Sequence, residues 1–505
     1  MTGHQLKVYN SLGRQIEDFV PSADVVGLYS CGPTVYYFPH LGNMRPYVFA
    51  DTLRRALRWK DIQVRHVVNI TDVGHAVADS DTGEDKLEVA AAKERRSVED
   101  IADFYTRAFM TDIAALNILP ADRYPRASDY VPQMIEFATR LQERGVTYQI
   151  PSGLYFDTTK SDGYGTLALM DIAGQREAAR VEQVEGRRHK SDFALWRAEE
   201  PGVRRVMRWD SPWGFGAPGW HLECSVMSMA LLGEHFDLHT GGIDHRELHH
   251  VNEIAQSEAY LDDGDPWVRY WMHNEFLLLN NAKIAKSSGP VPRLADLIED
   301  GYHPMAYRLF LLGGHYRSQL DFTTDAVDGA QTSLRRLLAR IEPLRPLPVI
   351  ETYERARAAL TAIADATPAV AGDDAEPGDK TALDYLELMD EAISLDLATP
   401  RLLAILQESL RDQEITPAGL RVIVAAADAL LGLHLSDLDP AALERRRSTA
   451  DLDTAEIETI ERLIAERTQA RKEKNWPRAD EIRAELDRLD VQVTDTPAGP
   501  AWHLR

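Results

Sequence analysis

The sequence predicts a multidomain α/β protein in which a parallel sheet is followed by a helical region and a small C-terminal unit. Near the N-terminus, a strand at ADVVGLYS, an amphipathic helix at PYVFADTLRRALRWK and a β-branched strand at IQVRHVVNI follow one another, which is the order of a βαβ unit. After Thr323 the apolar residues recur at helical spacing. A chain of 505 residues also exceeds what one core usually accommodates, so several domains are expected.

The composition is that of a soluble globular protein, with 44% hydrophobic and 27% charged residues. No run of about eighteen apolar residues occurs, so no membrane span is expected. The opening MTGHQLKVYNSLGRQ lacks an apolar signal region and a transit-peptide character, which makes the cytoplasm the expected location. A net charge of −24 argues against nonspecific DNA binding, whereas a local basic strip would still allow RNA binding.

The middle of the chain predicts an insertion within the sheet domain. From about Ser97 to Gly145 the pattern is helical, and GLYFDTT then indicates a short strand. A second mixed block from Gly214 to Phe322 returns to alternating strands and helices. We therefore expect a sheet domain over residues 1–322 with an insertion at about 97–209.

Two further units are predicted beyond the sheet domain. Residues 323–450 have the pattern of a helical bundle, in which the acidic stretch VAGDDAEPGDK is expected to be a loop between helices. Residues 451–505 begin with a long charged helix and end in VQVTDTPAGPAWHLR, which has the pattern of a hairpin.

The segment PHLGN lies between the first strand and a helix expected to start near Arg45. A helix N-terminus offers free N–H groups to a phosphate, and His40 and Asn43 add side-chain donors. Gly42 would allow a close backbone approach. Taken alone, the segment is more simply explained as an ordinary loop that caps a helix.

Lys283 and Lys286 lie in the Ser/Gly-containing segment KIAKSSG. Two lysines in such a loop suit a mobile clamp for a triphosphate, whose charge shifts during reaction. A solvated loop is the alternative explanation.

Four residues have the chemistry of a zinc site. Cys31 follows the first strand, Cys224 lies in GWHLEC, and His249 and Glu253 are four apart and therefore share one helix face. Two thiolates, an imidazole and a carboxylate make a sensible zinc shell, although His250 could compete as the nitrogen ligand. Buried thiols and an ordinary helix pair are the alternatives, because the spacing does not show that the four converge.

A glycine pair precedes an acid in Gly241-Gly242-Ile243-Asp244, after the apolar HFDLHT. A glycine turn with a carboxylate at the end of a strand suits the two hydroxyls of a nucleotide ribose. Such turns are common, so this motif by itself is weak evidence for nucleotide binding.

Taken together, these segments resemble the cysteinyl-tRNA synthetases, a family of class I aminoacyl-tRNA synthetases. The resemblance rests on the order of CGPTVYYFPHLGN, NITD, GWHLECSVM, GGIDH, HHVNE, KIAKSSG and GHYRSQLDF, and it extends to RKEKNWPRADEIRAELDRL and DTPAGPAWHLR. It implies a Rossmann-like catalytic domain with a connective insertion, an α-helical bundle and a C-terminal anticodon-binding unit. The implied activity is ATP-dependent formation of cysteinyl-adenylate, then transfer of cysteine to the 3′ end of cysteine tRNA.

The resemblance also implies roles for individual residues. The HIGH signature of the family corresponds to residues 40–43 and its KMSKS signature to residues 283–287, although Ile284 and Ala285 replace the usual Met and Ser. The residues implied in catalysis are His40, Asn43, Lys283 and Lys286, and those implied in ATP binding also include Gly42, Gly241, Gly242 and Asp244. The implied ligands of one zinc ion per chain are Cys31, Cys224, His249 and Glu253. The residues implied around the bound cysteine are Gly32, Thr34, Thr71 and Trp220.

At the C-terminal end, Arg471, Trp476 and Asp480 are candidates for contacts with anticodon bases. A charged, solvated helix with a tryptophan packed beneath it is the alternative. The family resemblance further implies ATP with Mg²⁺ and a monomeric chain. Two other functions stay open at this point: a ligase that transfers activated cysteine to an amine other than tRNA, and a non-catalytic RNA-binding relative.

Overall fold

The computed structural model describes most of the chain. The described ranges are 3–73, 86–168, 184–199, 205–279, 282–283, 291–366, 380–444, 452–473, 475–489, 491–496 and 499–504.

The strands are numbered in chain order. They are β1 (Lys7–Asn10), β2 (Gln15–Asp18), β3 (Val25–Ser30), β4 (Gln63–Val68), β5 (Thr147–Ile150), β6 (Gly153–Phe156), β7 (Phe193–Ala198), β8 (Gly216–Pro218), β9 (Phe236–Gly242), β10 (Val268–Asn274), β11 (Leu277–Leu279), β12 (Ala282–Lys283), β13 (Leu320–Phe322), β14 (Val491–Thr496) and β15 (Gly499–Leu504).

The α-helices are numbered in the same way. They are α1 (Leu41–Trp59), α2 (Lys86–Glu94), α3 (Val98–Ala115), α4 (Val131–Glu143), α5 (Trp220–Leu232), α6 (Ile243–Leu261), α7 (Leu294–Glu299), α8 (Pro304–Leu312), α9 (Thr324–Ile341), α10 (Tyr353–Ala366), α11 (Lys380–Ser394), α12 (Thr399–Ser409), α13 (Pro417–Leu431), α14 (Thr454–Lys472) and α15 (Trp476–Arg488).

The central sheet has the strand order β10-β9-β3-β4, and all of its neighbouring strands are parallel. The predicted βαβ unit is confirmed, because β3, α1 and β4 follow one another and β3 pairs with β4. In parallel α/β sheets, ligands bind beyond the carboxyl ends of the strands. That edge carries Cys31 after β3, Asn69 after β4 and Gly242 at the end of β9.

Helix α1 begins earlier than the sequence predicted. It starts at Leu41 rather than near Arg45, because His40 caps it: the N–H of Asn43 donates to Nδ1 of His40, and the N–H of His40 donates to Oδ1 of Asn43. Proline is typical of a first helical turn, so Pro46 favoured the later start. The reciprocal cap prevails, and Pro46 lies inside the helix.

A second sheet, which the sequence only partly predicted, has three strands in the insertion and its fourth strand, β8, just beyond the predicted end at residue 209. Its order is β5-β6-β7-β8, and every pair is antiparallel. The helical stretch expected from Ser97 to Gly145 contains α3 and α4, and β6 is the strand expected at GLYFDTT. One apolar core extends from this sheet to the central sheet, as Phe156 and Trp196 belong to the same cluster as Tyr29 of β3.

The helical bundle joins α1 through buried polar contacts. Arg308 of α8 is fully buried and pairs with Asp51 of α1, while its Nε donates to the carbonyl of Leu431 at 2.8 Å. At the other end of α1, the indole N–H of Trp59 donates to Oδ1 of Asp390 in α11 at 2.8 Å. These contacts tie the helix that begins at His40 to the bundle.

The regions after Thr323 have the predicted character. Helices α9 to α13 form the bundle, and the C-terminal unit consists of α14, α15 and the antiparallel hairpin β14-β15. Ile460, Ile482 and Val491 belong to the small core of that unit. The loop predicted at VAGDDAEPGDK lies outside the described residues, apart from Lys380 at the start of α11. Among the described residues, no helix is both long and apolar enough to span a membrane.

Candidate active site

The structure brings the four predicted zinc ligands together. Cys31 follows β3, Cys224 lies on α5, and His249 and Glu253 lie one turn apart on α6. The ligand atoms of all four residues lie within 4.8 Å of one another. Their separation in sequence therefore does not separate them in space.

The spacing of these atoms suits a zinc ion. Nε2 of His249 lies 3.4 Å from Sγ of Cys224 and 2.9 Å from Oε1 of Glu253. Ligands at zinc bond lengths of about 2.0–2.3 Å in a tetrahedron lie roughly 3.3–3.8 Å apart, so little movement is needed. Two thiols with one imidazole and one carboxylate are also a donor set that zinc favours. The residues present fit the metal.

A second group of four ligands overlaps the first. It consists of Cys31, His239, His250 and Glu253, whose ligand atoms also lie within 4.8 Å of one another. His250, the competitor named from the sequence, has Nε2 3.2 Å from Sγ of Cys31, and its Nδ1 lies 2.7 Å from Nε2 of His273. Sequence reasoning missed His239, which lies within the apolar segment HFDLHT.

Glu253 connects the two groups electrostatically. Its Oε1 faces His249, and its Oε2 lies 3.0 Å from Nε2 of His239. Burial raises the pKa of this carboxyl, but the charges of His249 and His239 outweigh it and lower the pKa to about 2. In return, the charge of Glu253 and a hydrogen bond with Cys31 overcome burial and raise the pKa of His249 to about 10.

The two thiols differ in acidity. Burial raises the pKa of Cys31, but the hydrogen bond with Cys224 and the nearby His245 and His249 bring it well below the usual range. Burial, the hydrogen bond with Cys31 and the charge of Glu253 raise the pKa of Cys224. The surroundings of Cys31 therefore favour its thiolate, the form of cysteine that binds a metal.

A hydrogen-bonded chain connects the residues predicted around the substrate. The N–H of Gly32 donates to Oδ1 of Asn69, Nδ2 of Asn69 donates to the hydroxyl of Thr71 at 3.0 Å, and that hydroxyl donates to Oε2 of Glu223 at 2.9 Å. A Cβ at Gly32 would lie 1.5 Å from the carbonyl oxygen of Asn69, so only glycine allows this approach. Thr34 pairs with Thr71 in a short parallel bridge. Asn69 and Glu223 were missed from the sequence.

Trp220 opens α5 beside the predicted metal ligands. Its ring stacks on that of His249, with centroids 4.4 Å apart. Nδ1 of the neighbouring His221 lies 2.8 Å from Nδ1 of His249 and so contacts the nitrogen that faces away from the cluster. These contacts orient His249 with Nε2 toward the other ligands.

The predicted ribose motif is arranged differently from the expectation. The sequence indicated a glycine turn, but Gly241 and Gly242 continue β9 and pair with His273 and Asn274 of β10. Gly242 then caps α6, because the strand passes directly into the helix. Asp244 consequently lies in the first helical turn, where its side chain is 58% exposed.

The structure describes only one of the two predicted lysines. Lys283 pairs with Leu278 in the two-stranded contact of β12 with β11. Lys286 lies outside the described residues.

The predicted anticodon residues lie at one end of the C-terminal unit. Arg471 is near the end of α14, and Trp476 begins α15, with Asp480 one turn further on. All three are exposed, and Trp476 is 56% exposed. The alternative of a tryptophan packed beneath the helix is therefore wrong.

Comparison with known protein families identifies the class of protein to which the catalytic domain belongs. Residues 19–332 match the family model of the tRNA synthetases class I (C) catalytic domain. The chain also resembles the structure of a LeuRS from Agrobacterium radiobacter, solved as a ternary complex with tRNA and LeuAMS, with a TM-score of 0.57 and 11% identity over 85% of this chain and 87% of that one. The protein therefore has the catalytic fold of a class I tRNA synthetase.

Closer relatives narrow the class to one family. Residues 453–502 match the Cysteinyl-tRNA ligase anticodon binding domain. The cysteine–tRNA ligase of Zymomonas mobilis is 45% identical over 98% of this chain and 97% of its own length. That of Novosphingobium aromaticivorans is 46% identical over 99% of this chain and 97% of its own length. The chain belongs to the cysteine–tRNA ligase family.

Proposed function

We propose that this enzyme activates L-cysteine with ATP and transfers it to the 3′ end of cysteine tRNA. The observation that carries the proposal is the convergence of Cys31, Cys224, His249 and Glu253 within 4.8 Å at the carboxyl edge of the central sheet. The same edge is next to the N-terminus of α1, a favourable place for phosphate. A site that binds a thiol and a site that binds a nucleotide are thus adjacent.

In this proposal, the first group of ligands holds one zinc ion per chain, because it offers two thiolates where the overlapping group offers one. Bound zinc would supply a direct bond to the substrate thiolate, a bond that the hydroxyl of serine forms poorly. Gly32, Thr34, Thr71 and Trp220 surround the substrate. Discrimination by ligand chemistry removes the need for a second, editing site.

The residues at the start of α1 act on the nucleotide. His40 and Asn43, with the backbone of Gly42, stabilise the triphosphate while a carboxylate oxygen of cysteine attacks the α-phosphorus and pyrophosphate leaves. Lys283 and Lys286 neutralise the charge of the leaving pyrophosphate. Gly241 and Gly242 allow the nucleotide to approach, and the exposed carboxylate of Asp244 accepts hydrogen bonds from the ribose. In the second step, a hydroxyl of the terminal tRNA ribose attacks the acyl carbon and AMP leaves.

The acceptor in this proposal is tRNA. Residues 453–502, with their match to an anticodon binding domain, support it over another amine, and Arg471, Trp476 and Asp480 are the proposed base contacts. We assign residues 1–322 to catalysis with the insertion at about 97–209, residues 323–450 to the bundle and residues 451–505 to the anticodon. In this proposal ATP binds as its Mg²⁺ complex, and the enzyme is a monomer located in the cytoplasm.

Cysteine-dependent ATP–pyrophosphate exchange on the purified protein, with serine as control, followed by charging of cysteine tRNA in the same preparation, tests this function. Exchange with cysteine and charging are expected. Exchange without charging would assign the activated cysteine to another acceptor. Absence of exchange from zinc-replete protein would contradict the proposal.

A further inference from the structure

The surface beside the N-terminus of α1 carries an exposed aromatic ring that has no part in the steps above. The side chain of Tyr37 is 59% exposed. Its ring contacts those of Phe38 and Tyr105, with centroids 5.8 and 6.0 Å apart, and Tyr105 is itself buried. Tyr37 thus presents a flat apolar face that neighbouring rings hold in place.

Two arginines lie on the same group of rings. The guanidinium of Arg293 lies 4.9 Å from the centre of the Phe38 ring, and that of Arg96 lies 4.8 Å from the centre of the Phe104 ring. Phe38 and Phe104 are themselves in edge contact at 5.7 Å. The cations and the exposed ring therefore belong to one surface.

Basic residues lie next to these rings and alternate with acidic ones. Residues 93–96 are Lys, Glu, Arg and Arg in a chain of net charge −24. Glu94 lies 3.9 Å from Arg96, while Lys93 and Arg95 are exposed. Asp296 pairs with Arg293 and orients it. The exposed cations of Lys93 and Arg95, and the guanidinium groups of Arg96 and Arg293, can each pair with a phosphate of a nucleic acid.

This surface adjoins the place where the acyl group is transferred. Phe38 precedes His40 by two residues, and the N–H of Leu41 donates to the carbonyl of Pro292 at 2.9 Å. That hydrogen bond places Arg293 beside the first turn of α1. Tyr37 itself precedes His40 by three residues, so its exposed ring is near the helix end at which the proposed acyl-adenylate would receive the terminal ribose of an RNA.

We propose that Tyr37 is the platform on which an unpaired base near the 3′ end of tRNA stacks, with the cations of Arg96 and Arg293 beside its phosphates. Unpaired bases bind proteins by stacking on aromatic rings, and the contact tolerates any base because every base has a π-face. This inference rests on the proposed function and names the residues that receive the RNA end.

The full-length variants Tyr37→Ala and Tyr37→Phe test the platform. Tyr37→Ala is expected to lower kcat/KM for tRNA in charging about tenfold, and Tyr37→Phe to stay within about twofold because the stacking face remains. Pyrophosphate exchange with cysteine is expected to change less than about twofold in both, since no tRNA takes part. Phe215→Ala is the matched control: this ring is 48% exposed and lies under Arg208 at 4.7 Å, but it precedes β8 of the second sheet.

A second measurement tests whether the unpaired end itself is the occupant. The Kd of intact tRNA and the Kd of tRNA without its 3′ unpaired nucleotides are compared in a direct binding assay with wild-type protein and with Tyr37→Ala. The intact tRNA is expected to bind the wild type more tightly, and Tyr37→Ala is expected to remove most of that difference.

Three results would overturn the platform. They are an unchanged kcat/KM for tRNA in Tyr37→Ala, an equal loss in Tyr37→Phe, and a parallel loss of exchange, which would indicate a structural role. Failure of the wild type to exchange or charge would instead contradict the proposed function, so the two failures are distinguishable.

Discussion

The hydroxyl of Thr71 donates a hydrogen bond of 2.9 Å to Oε2 of Glu223, and both side chains are buried. Thr71 follows β4 and Glu223 lies on α5, so this bond joins two segments that line the proposed cysteine site. Burial holds the pKa of Glu223 well above its usual range. Glu223 is thus a buried acceptor for the hydroxyl of Thr71.

Removal of that acceptor is expected to weaken cysteine binding. Glu223→Ala leaves the buried hydroxyl of Thr71 without its acceptor, a defect that costs roughly 1–3 kcal/mol, and KM for cysteine in pyrophosphate exchange should rise at least fivefold. Glu223→Gln keeps an acceptor oxygen in a side chain of the same shape and should restore most of the activity. Equal KM values for the wild type and Glu223→Ala would contradict a positioning role.

Loss of a metal ligand is expected to remove zinc. Cys224→Ser replaces a soft ligand with a poor one, so elemental analysis should find little zinc, and the preference for cysteine over serine in exchange should fall. A full complement of zinc in this variant would refute the site.

The two overlapping ligand groups make different predictions. If zinc binds to the group with two thiols, His249→Gln should lose the metal, whereas His239→Gln should retain most of it. Both histidines are buried and both contact Glu253, so each variant serves as a control for the other. The reverse order of zinc contents would assign the metal to the group that contains His250.

A methyl group at Gly32 is expected to abolish cysteine activation. Its Cβ would lie 1.5 Å from the carbonyl oxygen of Asn69, so the backbone of one segment must move. Gly329→Ala in α9 is the matched control, because no atom lies within 4 Å of its added Cβ and alanine favours a helix by about 1 kcal/mol. Exchange rates of the two variants, with thermal unfolding of each, check the prediction. Wild-type exchange in Gly32→Ala would show that the close approach is dispensable.

The buried Asp51 is expected to make stability depend on pH. Burial raises its pKa, but Arg55 and Arg308 outweigh that effect and lower it below 3.8. A carboxyl with a lowered folded-state pKa contributes stability above its unfolded-state pKa, and the contribution is lost as the pH falls through the lower value. The Tm should therefore decrease below about pH 4, and less steeply in Asp51→Asn.

At pH 7, Asp51→Asn should itself be destabilised by about 3 kcal/mol or more, since it leaves Arg308 buried without its charge partner. Asp103→Asn is the control, because its pair with Arg126 is partly exposed and should contribute less than about 1 kcal/mol. A similar Tm for both variants would contradict the assignment.

At the C-terminal unit, Trp476→Ala is expected to lower kcat/KM for tRNA about tenfold without a change in exchange, because the exposed ring offers a stacking surface. Leu489→Ala is a control at a residue that is 43% exposed in the same unit. Equal charging by Trp476→Ala and the wild type would remove Trp476 from the anticodon contacts.

Local patterns predicted much of the architecture, and the spacing of His249 and Glu253 placed both on one face of a helix. The convergence of Cys31 and Cys224 was not visible locally, because strand order and helix packing bring them together. His239 was missed because a histidine within an apolar strand has no local signature of function. The expectation at Gly241 and Gly242 was wrong because two glycines favour a turn, while pairing with β10 keeps them extended.

Helix α1 joins two distant points of the molecule. It begins at the cap of His40, where the triphosphate is proposed to bind, and ends at Trp59, which donates to Asp390 of the bundle. Its 19 residues span about 28 Å and behave as a stiff rod. A shift of α11 relative to the central sheet would break the hydrogen bond to Asp390 or tilt α1. A tilt of α1 would move His40 at its other end, so a movement of the bundle is coupled to the position of His40.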